Sequence, residues 1–155
     1  MGVSVLPLLI SIFAVQDSGG ALRLTCGGAG AATKVETARA FGGDSNGNTG
    51  WATLQHRGSQ DFEDQVDLII DGENSRIRLP RVMLPPIHGG DGGWFKLKGV
   101  RVEPTHITGS AAINVINSPK VFVDRQTGRI SIDGKAGHYS GQCERAVAAD
   151  QPTKF

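Results

Sequence analysis

The chain has 155 residues and a net charge of +1, and it contains 22 glycines, 7 prolines and 2 cysteines. This length suits one domain with a sizeable core, so neither a disulfide-dense miniprotein nor a two-domain enzyme is expected. The balanced charge lacks the markedly basic character of nucleic-acid-binding domains, and no nucleic-acid partner is expected. Glycine at roughly twice its usual share of about 7% predicts a fold with many turns.

Residues 1–21 are predicted to be a secretory signal peptide with its cleavage region. An uncharged apolar run extends from Val3 to Val15, and the polar segment 17–20 follows it. The run has the length of a signal-peptide core and is too short for a membrane-spanning helix, which needs about 20 apolar residues. No Lys or Arg precedes the run, so a buried N-terminal strand or a helix containing Pro7 is the alternative. We therefore expect a periplasmic or secreted protein with no transmembrane span.

The remaining chain is expected to form one domain over residues 22–145, followed by a tail over 146–155. Cys26 and Cys143 lie near the two ends of this domain. In an oxidising compartment the two cysteines would form a disulfide bond, and two buried free thiols are the alternative.

Period-two patterns predict an all-β domain. The clearest alternation runs from Phe62 to Ile70, and a turn at Asp71-Gly72 leads into a second alternating run, Ser75 to Leu79, which predicts a hairpin. The alternation of Trp94 to Glu103 slips by one residue at Gly99, which predicts a β-bulge. The other predicted strands are Leu22–Cys26, Thr33–Phe41, Ala112–Asn117, Lys120–Val123, Arg129–Asp133 and Tyr139–Cys143.

Gly128 can supply the positive φ angle that a hairpin loop needs before the strand at 129–133. No segment shows helical periodicity over three turns. The sequence thus predicts a single antiparallel β-barrel or sandwich of seven to nine short strands, whose first and last strands are tied by the disulfide.

No motif with catalytic or metal-binding chemistry is found. Oxygen-bearing side chains alternate from Asp44 to Gly50 as in the first half of a calcium loop, but Thr49 and Gln55 occupy positions that need glycine and an acid. A solvated loop is therefore preferred there. Ser140 lacks the GxSxG context of an esterase nucleophile. The four histidines show no metal-binding spacing: His56, His88, His106 and His138. No catalytic residue, metal or cofactor is expected.

The central segment is the best candidate for a binding surface. Arg76 and Arg78 on one strand, and Lys96 and Lys98 on another, would form a cationic patch if the two strands are neighbours. An ordinary solvated sheet face is the alternative. A glycine-rich loop beside Trp94 has the character of a binding loop, although Trp94 could instead cover the core. The candidate binding residues are Arg76, Arg78, His88, Asp91, Trp94, Lys96 and Lys98.

Four motifs carry a resemblance to other proteins: IRLPR, LPPIHGGDGGWFKLK, INSPKVFVDRQTGRISI and GHYSGQC. Over roughly residues 60–145 the chain resembles a group of short exported proteins of sphingomonad-type alphaproteobacteria, a group that brings no known catalytic or ligand residues. It is more loosely similar in architecture to the periplasmic C-type lysozyme inhibitors of the membrane-bound kind, which are small antiparallel barrels tied by a disulfide. It departs from them in the order of Tyr139-Ser140-Gly141 and in a longer central segment.

The sequence therefore predicts an exported, non-catalytic binding module whose partner is an unknown protein, a glycan or an anionic lipid. A small periplasmic hydrolase that joins His88 or His106 with Asp91 is one alternative. A lysozyme-inhibitor-like protein is the other.

Overall fold

The structure is a computed structural model and describes residues 20–146, which form one closed antiparallel β-barrel of eight strands. The strands follow the chain order around the barrel: β1 Leu22–Gly43, β2 Thr49–Ile70, β3 Arg76–Arg78, β4 Trp94–Val102, β5 His106–Ala111, β6 Lys120–Asp124, β7 Arg129–Gly134 and β8 Gly137–Arg145. Between them lie two short 3₁₀ turns, Gly72–Asn74 and Arg81–Met83. The predicted leader lies outside the described residues, except for its last two positions.

The all-β prediction is confirmed, and the barrel rather than the sandwich is the observed form. The disulfide between Cys26 and Cys143 is present, and these two residues lie directly opposite each other where β1 meets β8. The covalent bond therefore fastens the seam at which the first and last strands close the barrel.

The interior of the barrel is filled by side chains that alternate along the strands. Val66, Leu68 and Ile70 of β2 are buried, as the period-two pattern predicted, and Ile77 and Phe95 meet them from β3 and β4. The side chains of this core occupy the barrel interior, as is usual for a barrel of eight strands.

Two predicted glycine features are confirmed. The pairing of β4 with β5 shifts between Lys98 and Arg101, and Gly99 in that interval has a φ angle of +60°. Gly128 has a φ angle of +72° in the loop that joins β6 to β7, where its amide donates to the carbonyl of Asp124. Both positions use backbone conformations that residues with a Cβ rarely adopt.

Three strand predictions need correction. The segment Ala112–Asn117 is not a strand but a connection, and the strand before it is His106–Ala111, which no pattern had indicated. The prediction followed the β-rich composition of AINVIN, yet Val115 and Ile116 are exposed. The strands are also not all short, because β1 and β2 each span 22 residues.

The two ends of the barrel differ in character. One end carries short turns at 71–75, 103–105 and 125–128, together with the first and last described residues. The opposite end, here called the arm end, carries the connections 79–93, 112–119 and 135–136 and the extension of β1 and β2. Within residues 20–146, no helix is long and apolar enough to cross a membrane.

Candidate functional site

A two-stranded arm projects from the arm end. β1 pairs with β8 only as far as Ala32, whereas its pairing with β2 continues to Gly43. Residues 33–43 and 49–59 therefore form a ribbon that is hydrogen-bonded only to itself, apart from one bond at its base from the Thr33 amide to the Ala136 carbonyl. An isolated two-stranded ribbon is marginally stable in water, so this element has little support of its own.

The outer part of the arm presents aromatic side chains to solvent. Phe41 and Trp51 lie directly opposite each other, with ring centroids 5.0 Å apart, and are 59% and 74% exposed. Leu54 is also exposed. Between residues 40 and 55 the only charged side chain is that of Asp44. Phe41 and Trp51 thus form an exposed aromatic pair on one face of the arm, and Leu54, three positions after Trp51 on β2, is exposed on the opposite face.

The oxygen-bearing side chains that alternate from Asp44 to Gly50 form the turn at the tip of the arm. The Asp44 carboxylate accepts hydrogen bonds from the amides of Asn46 and Asn48 and from the side-chain amide of Asn48. These bonds, chiefly the one from the Asn48 side chain, lower the pKa of Asp44 below its usual value. The carboxylate is engaged in closing the turn, in agreement with a solvated loop. Among the described residues, no three His, Cys, Asp or Glu side chains are grouped so as to hold a metal ion.

An apolar groove lies at the base of the arm. It has a volume of about 1150 Å³ and is bounded by the arm, the connection from β3 to β4, the connection from β5 to β6 and the turn between β7 and β8. Its apolar lining comes from Val35, Val82, Met83, Leu84, Pro85, Pro86 and Ile116. Because the barrel interior is filled, this groove offers an apolar contact surface that a ligand can reach from outside the core.

The charged side chains of this groove are all cationic. Lys34 and Arg57 come from the base of the arm, Arg81 from the connection after β3, and Lys135 from the turn before β8. No Asp or Glu lines the groove. The single ion pair found in residues 20–146 joins Arg78 to Asp67, so none of the four groove cations lies within 4.0 Å of a described carboxylate.

The residues predicted from sequence form a second surface, the cationic side wall, on the outside of β3 and β4. Arg76 lies directly opposite Lys96, and Arg78 lies opposite Trp94. The Arg76 guanidinium is 5.7 Å from the centre of the Trp94 ring, and Lys98 follows Lys96 at the next outward position. The strands are neighbours, as the predicted patch required. Two of its members are nevertheless occupied by intramolecular contacts, Trp94 by Arg76 and Arg78 by Asp67 at 3.4 Å.

The glycine-rich loop beside Trp94 has a conformational explanation. Asp91 and Trp94 exchange backbone hydrogen bonds across Gly92 and Gly93, whose φ angles of +57° and +84° are those of a two-residue hairpin turn. Gly90, at φ +85°, lies against the buried Phe95 ring. The glycines are thus required by the turn and by this close approach, and Asp91 serves the turn through its backbone.

The contacts of the His88 side chain are with Gly89 and Phe95 and not with Asp91. Its Nδ1 donates to the Gly89 carbonyl at 2.8 Å, and its ring contacts the edge of Phe95 at a centroid distance of 5.9 Å. It lines a second groove of about 680 Å³ together with Arg78 and Arg81. Of the predicted binding residues, Arg78 and His88 share this groove, whereas Lys96 shares one shallow groove with Lys98 and another with Arg76.

The hydrolase alternative requires a histidine linked to a carboxylate. His106 Nδ1 lies 3.0 Å from the Thr105 hydroxyl, and the ring stacks on Phe122. Neither His88 nor His106 is hydrogen-bonded to a carboxylate within the described residues, and Asp91 is bonded to neither. The histidine–carboxylate pair that the hydrolase alternative needs, His88 or His106 with Asp91, is therefore not formed in the structure.

No protein-family model, curated protein or solved structure matches this chain. The arm and its groove were not recognised from sequence. One signal could have indicated the arm, because Phe41 and Trp51 stand at equal distances from Asn46 in an Asn-Gly turn, and such a dipeptide between strand-forming residues is a strong hairpin signal.

Proposed function

We propose that this protein is an exported binding module that holds a partner at the arm end of its barrel, without catalysing a reaction. The observation that carries the proposal is the distribution of exposed apolar side chains. Seven of the nine large hydrophobic residues that are exposed in residues 20–146 lie at the arm end: Val35, Phe41, Trp51, Leu54, Ile87, Val115 and Ile116.

Apolar surface in contact with water is unfavourable, and contiguous patches of it commonly mark interaction sites. The other two exposed residues, Val102 and Phe122, lie elsewhere on the barrel, and Phe122 is stacked on His106. The asymmetry supports a partner that covers the arm end. The Cys26–Cys143 bond supports the exported location, because disulfides persist in oxidising compartments.

Native mass spectrometry of the protein, isolated from the cellular fraction in which it occurs, tests both the export and the binding of a partner. We expect a mature N-terminus close to residue 21, a disulfide mass two hydrogens below that of the reduced chain, and an additional bound mass. A Trp51→Ser/Leu54→Ser variant should lose the bound mass. The control, Val102→Ser/Phe122→Ser, removes the same number of exposed apolar side chains and should retain it.

Retention of the bound mass by the arm variant, or its loss from the control alone, would contradict the assignment of the binding surface. A chain that retains its leader and stays in the reducing cytoplasm would contradict export. Lysozyme inhibition, which the looser architectural resemblance implies, is tested directly by adding the purified protein to a lysozyme assay.

A further inference from the structure

The groove at the base of the arm combines two properties that one ligand must match. Its floor is aliphatic, provided by Val82, Leu84, Pro85, Pro86 and Ile116. Binding of an apolar ligand surface there is favoured because that surface is removed from water. A small hydrophilic anion would gain nothing from such a floor.

The rim supplies the second property. Four cationic side chains and no acidic ones surround the groove, although the whole chain carries nearly equal numbers of Lys plus Arg (16) and Asp plus Glu (15). No described carboxylate lies within 4.0 Å of these four cations, so their charges are available to an anionic ligand. The complementary ligand carries a negative charge next to an apolar body.

The floor also favours an acyl chain over an acidic peptide. A peptide brings one N–H and one C=O with every residue, and each buried group needs a hydrogen-bond partner. The side chains of residues 82–86 provide no such partners, and Pro85 and Pro86 have no backbone N–H. The neutral polar side chains of the groove lie on its other walls, at the arm base and in the connection before β6: Thr33, Gln60, Asn114 and Asn117. An acyl chain carries its polar atoms only at one end, so it can lie on the floor and present that end to the rim.

We propose that this groove binds a long-chain fatty carboxylate, with the acyl chain on the floor between Leu84 and Ile116 and the carboxylate at Lys34 and Lys135. This inference rests on the proposed function, because it names the ligand class of the arm end. The base of the arm supplies Lys34 and Arg57 to the lining of the groove, so the arm is part of the binding site.

The test is a calorimetric titration of the intact, disulfide-bonded protein with oleate below its aggregation concentration. Oleyl alcohol, which has the same chain without the charge, and acetate, which has the charge without the chain, are the comparison ligands. We expect saturable one-to-one binding of oleate, at least about tenfold weaker binding of oleyl alcohol, and none of acetate. Binding of oleate should weaken as salt is raised.

Two variants locate the site. Lys34→Glu/Lys135→Glu should weaken oleate binding by about tenfold or more, the effect of losing about 1.4 kcal/mol. Ile116→Ser should also weaken oleate binding, because it removes an apolar contact with the acyl chain. The three positions lie at the arm base or in connections between strands, and thermal unfolding checks that the variants remain folded. The matched control is Lys98→Glu on the cationic side wall, which should bind oleate like the unmodified chain.

Equal affinity for oleate and oleyl alcohol, an unchanged affinity of the Lys34→Glu/Lys135→Glu variant, or the absence of saturable oleate binding would each overturn the inference. If oleate fails while the Trp51→Ser/Leu54→Ser variant still loses its native partner, the ligand class is wrong and the binding function stands. If both fail, the proposed function fails as well.

Discussion

The phenol of Tyr139 donates a hydrogen bond to the backbone carbonyl of Cys26, 2.9 Å away inside the barrel. The same hydroxyl lies 2.9 Å from the Asp64 carbonyl on β2. One side chain on β8 therefore joins the three strands that flank the closing seam, next to the disulfide. The ring is almost fully buried, and the single hydroxyl proton is donated to one of these two carbonyls at a time.

Replacing Tyr139 by Phe keeps the ring and removes the hydroxyl. We expect a loss of about 1–3 kcal/mol in the free energy of unfolding, because a buried carbonyl that loses its donor is left without a partner. Urea denaturation with the disulfide intact measures this change. An unchanged midpoint would mean that water reaches these carbonyls.

The ionisation of Tyr139 should be shifted to high pH. Burial, followed by the charges of Asp64 and Asp67, raises the pKa of Tyr139 from 10.0 to about 12. The unfolded chain therefore releases this proton first. The contribution to stability is complete below about pH 10 and is lost as the pH rises towards 12.

This titration can be followed directly, because Tyr139 is the only tyrosine of the chain. Tyrosinate absorbance should rise near pH 12 in the folded protein and near pH 10 in denaturant. Ionisation of the folded protein near pH 10 would show that the hydroxyl is not protected.

The disulfide should contribute a large share of the stability. It links residues 117 positions apart, and in the chain-entropy model a loop of this length contributes about 4–5 kcal/mol. Reduction, or the double replacement Cys26→Ala/Cys143→Ala, should lower the denaturation midpoint accordingly. Reductant should have no effect on the double variant, and a midpoint of that variant equal to the oxidised chain would contradict the prediction.

Gly90 should not tolerate a side chain. Its φ angle is +85°, and a Cβ there would lie 2.7 Å from the Phe95 ring. Gly90→Ala is expected to cost about 1–3 kcal/mol, from the left-handed backbone and the forced movement of a core ring. Gly27→Ala is the control, because that position has no neighbour within 4 Å of a Cβ. Equal thermal stability of the two variants would contradict this account.

The cationic side wall contains an unfavourable pair, since Arg76 and Lys96 lie directly opposite each other. Like charges in this position are destabilising, so Lys96→Glu should raise the free energy of unfolding by about 0.2–1 kcal/mol at low salt. Lys98→Glu, opposite Ser110, should not produce this gain. A Lys96→Glu variant of lower stability would indicate that the lysine has favourable contacts on the sheet.

Much of the barrel could be anticipated where burial leaves a pattern. The alternation of Phe62–Ile70 predicted the buried face of β2, and the phase slip at Gly99 predicted the bulge, because half-buried strands must place every second side chain inwards. His106–Ala111 escaped notice since HITGSA has only two buried aliphatic residues, Ile107 and Ala111. In the arm, Thr33–Phe41 was predicted as a strand, but its partner strand at 49–59 was not. The arm has no buried face, so its sequence shows no clear alternation of apolar and polar residues.

The candidate site was anticipated in part. Arg76, Arg78, Trp94 and Lys96 do share one face, because period-two spacing on neighbouring strands brings outward side chains together. Asp91 and the glycines around it proved to be parts of a turn. The groove cations Lys34, Arg57, Arg81 and Lys135 come from four separate segments, and no spacing along the chain relates them.

The sequence by itself determined the all-β class, the one intramolecular disulfide that its two cysteines allow and the turns that glycine makes possible, because these depend on local backbone preferences and on composition. Only the tertiary structure decided that the sheet closes at Cys26–Cys143, that β1 and β2 continue past the barrel as an arm, and that an apolar groove with a cationic rim forms at its base. Those features depend on the register of strands distant in sequence, which is set by the packing of the shared core.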